Sequence, residues 1–207
     1  MKFNFYALKI CVVCVIVFIF QYLVAGLTDM LILNKLAYFE VWRFFTSLFL
    51  HADIGHLFYN MFALALFGSM LERMIGDKRF LIVYFSAGII ANIFALQFYD
   101  SSLGASGAIY GIIGALVIVR PSLMVWAFGF PMPMFIAGIL WAVGDIIGLF
   151  MPSNVGHIAH LGGMIIGLIL GYAFKKYYLQ HFGENRIVGG AILDENRMRN
   201  WEDAHLR

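Results

Sequence analysis

Charge is scarce in this chain. Of its 207 residues only 13% are Asp, Glu, Lys or Arg, while 62% are hydrophobic and 17% aromatic, against roughly 25% charged and 45–50% apolar in soluble domains. Together with a mean hydropathy of +0.86, this excludes a soluble globular protein. A basic excess is missing too. The balance of 14 Lys and Arg against 12 Asp and Glu provides no broad cationic surface, so nucleic acid is not an expected partner. Cysteine is nearly absent. Cys11 and Cys14 lie one helical turn apart in an apolar run, where a disulfide framework has no use and a thiol behaves as a small hydrophobe.

What is present is a series of long apolar windows, at about residues 7–28, 54–75, 79–98, 105–119, 133–150 and 155–175. A bilayer-crossing helix consumes about 20 residues, so six of them use most of the chain and leave no room for a second folded domain. The predicted fold class is therefore all-α, a polytopic membrane protein built as a six-transmembrane-helix bundle, with a membrane domain over 1–178 and a polar tail over 179–207. The first window is long enough to span and is followed by further spans, so it reads as a retained signal anchor rather than a cleaved signal peptide.

The few charges are unevenly placed. Assigning alternate loops to opposite faces gathers Lys2, Lys9, Arg73, Lys78, Arg79, Arg120, Lys175, Lys176 and four tail arginines on one side, twelve of the fourteen basic residues, and leaves only Lys35 and Arg43 on the other. The positive-inside rule then predicts cytoplasmic termini, with the second, fourth and sixth helices starting at the outer face. Between the first two spans, residues 30–53 are apolar and aromatic yet interrupted by Lys35, Glu40 and Arg43. That mixture fits an interfacial or re-entrant element, or equally a loop packed on the bundle.

Polar side chains inside a bilayer are costly and mark functional candidates, although they also serve as helix glue. Here they gather at the outer ends of three helices. His56 and Asn60 share one face of the second, four residues apart. Ser106 stands in Gly104-Ala105-Ser106-Gly107 at the start of the fourth, and His157 and His160 begin the sixth. From Gly104 to Val119 the fourth helix is too short for a core of about 30 Å, which sinks Ser106 below the outer surface beside a wet cavity. Glycines at 104, 107, 111 and 114 and at 163, 167 and 171 allow close backbone approach of the fourth and sixth helices. The expected chemistry is a serine nucleophile, Ser106, with His160 as its base. Backbone N–H groups at the start of the fourth helix, around Ala105, with His56 and Asn60, are candidate oxyanion donors. A third, acidic member is not evident: Asp145 is the only carboxylate well inside a span, and it reads as a structural hydrogen-bonder, so a dyad is the simpler expectation. Glu72 reads as interfacial.

Each piece alone has a bland counterpart, since glycine-flanked serine and hydrogen-bonded histidine are ordinary in packed membrane helices. In combination they resemble a known family. Trp42-Arg43 in the first loop, His56-x-x-x-Asn60, Glu72 and Gly76, Gly104-Ala105-Ser106-Gly107 with Tyr110, and Ala159-His160-Leu161-Gly162-Gly163 with Gly167 resemble, in order over about 38–171, the rhomboid intramembrane serine proteases. The resemblance implies a serine endopeptidase cutting in or next to transmembrane segments of membrane-protein substrates, with Ser106 as nucleophile, His160 as base and His56 and Asn60 in the oxyanion hole. It further implies Tyr110 beside the imidazole, Trp42 and Arg43 stabilising the first loop, and Gly163 and Gly167 as close-packing positions. It gives His157 no role, casts the fifth helix with Trp141 as a lateral gate, and suggests the minimal six-helix prokaryotic type, resident in the cell (inner) membrane. No metal or cofactor is expected.

Two other readings remain. A metalloprotein using His51, His56, His157 and His160 would need chelator-sensitive activity, and the chain has no HExxH and no nearby cysteine. A proteolytically inactive relative that binds membrane segments would not react with a fluorophosphonate.

Overall fold

The structure, a computed structural model, describes residues 4–153 and 155–180, and the backbone of 181–182, 186–188 and 191–193. Among the described residues six apolar helices make the body. Helix one is Tyr6–Leu23, helix two Ile54–Ile75, helix three Asp77–Phe98, and helix six His157–Phe182, all long and apolar enough to cross a membrane. Helix four, Ser106–Val119, and helix five, Met134–Gly148, are shorter. The protein is thus an all-α polytopic membrane protein.

Helix four is the axis of the bundle. Its 14 residues cover about 21 Å, and it is hydrophobic and buried on nearly every side, as a helix surrounded by other helices must be. Small residues set its two closest contacts. On one side Gly107 and Gly111 face Ala91 and Ala87 of helix three; on the other, Gly163, Gly167 and Gly171 of helix six lie against the backbone of Gly107, Gly111 and Ala115. The alanine side of this sandwich carried no motif in the sequence.

Several boundaries differ from expectation. Helix one ends at Leu23 rather than near 28, because Gly26 takes a left-handed φ of 81° and turns the chain into a one-turn helix, Leu27–Leu31. Helix six runs seven residues past the expected end at 175, to Phe182, into the segment assigned to the tail. Beyond it 186–188 pair antiparallel with 191–193, while Lys2, Arg197, Arg199 and Arg207 lie outside the described residues. Between helices four and five, in the gap left between the apolar windows ending at 119 and starting at 133, Met124–Ala127 and Phe130–Pro133 form a hairpin. Its turn places Phe128 and Gly129 at φ 54° and 84°, the paired left-handed turn that matches strand twist.

Of the two readings offered for the 30–53 segment, burial supports the loop packed on the bundle. Leu33, Ala37, Leu48, Leu50 and the guanidinium-bearing Arg43 are buried, whereas Tyr38, Phe39, Val41 and Trp42 are exposed. It is therefore a packed loop with an aromatic outer edge. Glu72 corrects the interfacial expectation, since it is only 1% exposed. Its two carboxylate oxygens accept the N–H groups of Tyr6 and Ala7 at 2.8 and 2.9 Å, the free donors and positive dipole end of helix one.

Candidate active site

Ser106 is the first residue of helix four, and what precedes it fixes its height. Gly104 has φ 121°, and a Cβ there would lie 2.8 Å from Nε2 of His56, so only glycine lets the chain turn here with the histidine ring laid against it. The Gly104 N–H donates to the Ser47 carbonyl at 2.9 Å. Asn92 of helix three, buried, donates through Nδ2 to the Ser47 hydroxyl at 2.9 Å and the Phe44 carbonyl at 2.8 Å. The first loop thus holds the start of helix four. Arg43 holds that loop in turn, donating through Nη1 to the carbonyls of Asp29 and Ile32 at 2.7 and 2.8 Å, and through Nε to Glu40. Trp42, directly before it, is half exposed. Asn92 and Ser47 were missed in the sequence, because an amide within a helix and a serine in a loop carry no spacing signal.

Ser106 Oγ and His160 Nε2 are 2.9 Å apart, across the seam between helices four and six. The His160 ring is stacked on Tyr110, centroid to centroid 4.3 Å at 10°, which leaves the imidazole little freedom to swing away from the serine. On its far side Nδ1 lies 3.0 Å from Asp145 Oδ1 of helix five. His157 reaches the same oxygen through its own Nδ1 at 2.6 Å. Asp145 is 4% exposed; it is hydrogen-bonded, as anticipated, and its partners are two imidazoles.

His56 and Asn60 face the same cavity of about 1050 Å³, as do Ser106, His160, Tyr110 and Trp141. The Ala52 N–H donates to His56 Nδ1 at 3.4 Å, which puts the ring proton of the neutral imidazole on Nε2, the atom lying over Gly104 and aimed at the serine's surroundings. Asn60 is buried and donates one amide hydrogen to the His56 carbonyl at 2.8 Å, leaving the second for the cavity. Ser106 and the residues after it add N–H groups that have no acceptor within the first turn of helix four. The arrangement brings a hydroxyl, an imidazole within hydrogen-bond reach of it and N–H donors of two kinds to one cavity, the parts that a serine nucleophile and its base would need.

The four histidines weighed as a metal set do not converge. His51 and His56 form one pair with ring centroids 5.2 Å apart, and His157 and His160 another. Among the described residues, the group with ligand spacing is Asp145, His157 and His160, whose ligand atoms fall within 4.8 Å of one another.

Comparison with known proteins identifies the family. The profile of the Rhomboid domain matches residues 38–177. The chain is 37% identical over 160 residues to the rhomboid protease GluP of Bacillus subtilis, covering 74% of this chain and 30% of that protein. It is 37% identical over 139 residues to the putative rhomboid protease YdcA of the same organism, covering 64% of this chain and 67% of that one. With the rhomboid protease GlpG of Haemophilus influenzae it shares 32% identity over 175 residues, 79% of this chain and 87% of the relative. The aligned segment is therefore less than a third of the length of GluP. A domain match spanning the first loop through helix six, with relatives at these identities, makes this chain a member of the rhomboid family.

Proposed function

We propose that this chain is an intramembrane serine endopeptidase that hydrolyses peptide bonds in or next to transmembrane segments of membrane-protein substrates, working by Ser106 and His160. The observation that carries the reading is the 2.9 Å contact between Ser106 Oγ and His160 Nε2, in a cavity within an apolar helix bundle. His160 takes the hydroxyl proton as Ser106 attacks the scissile carbonyl, then returns it to the leaving amine, and water hydrolyses the acyl-enzyme by the same relay. The negative oxygen formed on attack is met by N–H groups at the start of helix four, around Ala105 and Ser106, and by the side chains of His56 and Asn60. The uneven spread of basic residues supports cytoplasmic termini, with the cavity opening on the opposite face, and the likeness to the bacterial relatives supports residence in a prokaryotic inner membrane. The relatives' names support proteolysis and no particular substrate.

The test is fluorophosphonate labelling of the purified chain in detergent micelles, alongside cleavage of a single-span membrane substrate. Labelling that maps to Ser106 and vanishes in Ser106→Ala is the expected result. A chain that neither labels nor cleaves is an inactive relative, and the proposal fails.

A further inference from the structure

Asp145 stands at the centre of a five-member chain of polar groups. Its Oδ1 faces His160 Nδ1 at 3.0 Å, and His160 Nε2 faces Ser106 Oγ at 2.9 Å. On the other side the same oxygen faces His157 Nδ1 at 2.6 Å, and His157 Nε2 faces Ser153 Oγ at 2.9 Å. One assignment of protons satisfies every link. A carboxylate oxygen only accepts, so both imidazoles carry their proton on Nδ1 and offer a lone pair on Nε2, each receiving a serine hydroxyl. Gly148 makes the second arm possible, because a Cβ there would overlap the His157 ring.

Resting on the proteolytic reading above, we propose that Asp145 is a positioning residue of the reaction: it fixes His160 in the Nδ1–H tautomer, so that the Nε2 lone pair faces Ser106, and His157 with Ser153 anchors the carboxylate in place. Asp145 does not touch the substrate. Its effect passes through the ring of His160, as an orienting carboxylate's does in other serine hydrolases. A divalent cation could take these three side chains only by removing both Nδ1 protons and breaking both hydrogen bonds, so the proton-ordered chain is the state the geometry describes.

A purely structural role and a tautomer-setting role make opposite forecasts for Asp145→Asn. The amide keeps the size and shape of the carboxylate, so a role in packing alone leaves activity near that of the unmodified chain. Both imidazoles share Oδ1, and there a neutral amide oxygen accepts more weakly than a carboxylate and leaves the imidazolium without its counter-charge, while an amide nitrogen turned to that place donates where an acceptor is needed; either way the hold on the Nδ1–H tautomer is loosened. We expect Asp145→Asn to lower kcat by on the order of 10²–10⁴-fold, with KM within about threefold and the unfolding midpoint in micelles within a few degrees, and Asp145→Ala to be no worse than Asn. In the full chain labelled with ¹⁵N-histidine, the His160 signals should report a protonated Nδ1 and a bare Nε2, and should change on Asp145→Asn. The proposal is overturned if Asp145→Asn keeps more than half of kcat, or if the His160 tautomer is the same with and without the carboxylate. The nitrogen signals need no turnover, so loss of labelling and cleavage in the unmodified chain would sink the proteolytic reading while leaving this measurement to decide on Asp145.

Discussion

Gly167 of helix six lies against the backbone carbonyl of Gly111 of helix four so closely that a Cβ at 167 would overlap it, and Gly163 stands in the same relation to Gly107. Ser106 is one residue before Gly107 and His160 is three before Gly163. The separation of Ser106 and His160 is therefore set by bare backbone contact below them.

Replacing Gly167 by Val should force helices four and six apart, and a shift of about 1 Å between reacting groups costs on the order of 10²-fold in rate. Loss of most cleavage together with a lower unfolding midpoint is expected. Gly144→Ala, where a Cβ meets nothing within 4 Å, is the matched control and should be mild. Gly26 is unsuited to that use, because its left-handed φ of 81° strains any side chain. Unchanged activity in Gly167→Val would refute the seam.

Ser106→Ala and His160→Ala should each reduce cleavage below about one per cent while the bundle stays folded, since members of one catalytic unit fail together. His157→Ala removes one of two donors to Asp145 and should cost less than about tenfold. If it proves as inactive as His160→Ala, the base has been assigned to the wrong ring.

Asn60→Ala should lower kcat more than it raises KM, by at most roughly 10²–10³-fold for the loss of one oxyanion donor. His56 and the backbone donors remain, which tempers the loss. An effect confined to KM would reassign Asn60 to substrate binding.

His51, in the loop before helix two, is 1% exposed and its ring nitrogens have no hydrogen-bond partner among the described residues. Burial, with the neighbouring His56 adding to it, pushes His51 down to about 4. As pH falls through the usual histidine value the unfolded chain takes up a proton that the folded chain refuses, so stability is lost between about pH 6.5 and 4. Thermal unfolding in micelles should show this slope, and His51→Phe should flatten it. A slope unaltered by the substitution would place its origin elsewhere.

Glu72→Ala strips both acceptors from the buried N–H groups of Tyr6 and Ala7, at about 1–3 kcal/mol for such unsatisfied donors. The unfolding midpoint should fall and the first turn of helix one should exchange its amide hydrogens faster. An equally stable variant would show that water reaches this end of helix one.

The apolar windows and the residues that stand out against them were legible because each is local. A GxSG at a helix start, a histidine three residues before a glycine run, and an amide four residues after a histidine are short strings whose cost in a membrane announces them. Asp145 was visible as a residue and illegible as a partner, since nothing in its own helix says that His157 and His160, 12 and 15 residues later, turn back toward it. The hairpin at 124–133 escaped for a different reason: its strands are as apolar as the helices beside them, so hydropathy alone cannot separate the two.

The sequence by itself determined that this chain lives in a bilayer, roughly where its helices fall, and which serine and histidine stand out as candidates, the two that lie 2.9 Å apart in the structure, because hydrophobic length and the expense of polar groups in lipid are written one residue at a time. Only the tertiary structure decided that helix four is clasped by alanines of helix three as well as glycines of helix six, that Asn92 and Ser47 hold the serine's turn, and that one carboxylate joins two imidazoles. Those are distances between segments far apart in the chain, fixed by how closely particular backbones pack, and packing is a property of pairs of surfaces that no single stretch of sequence carries.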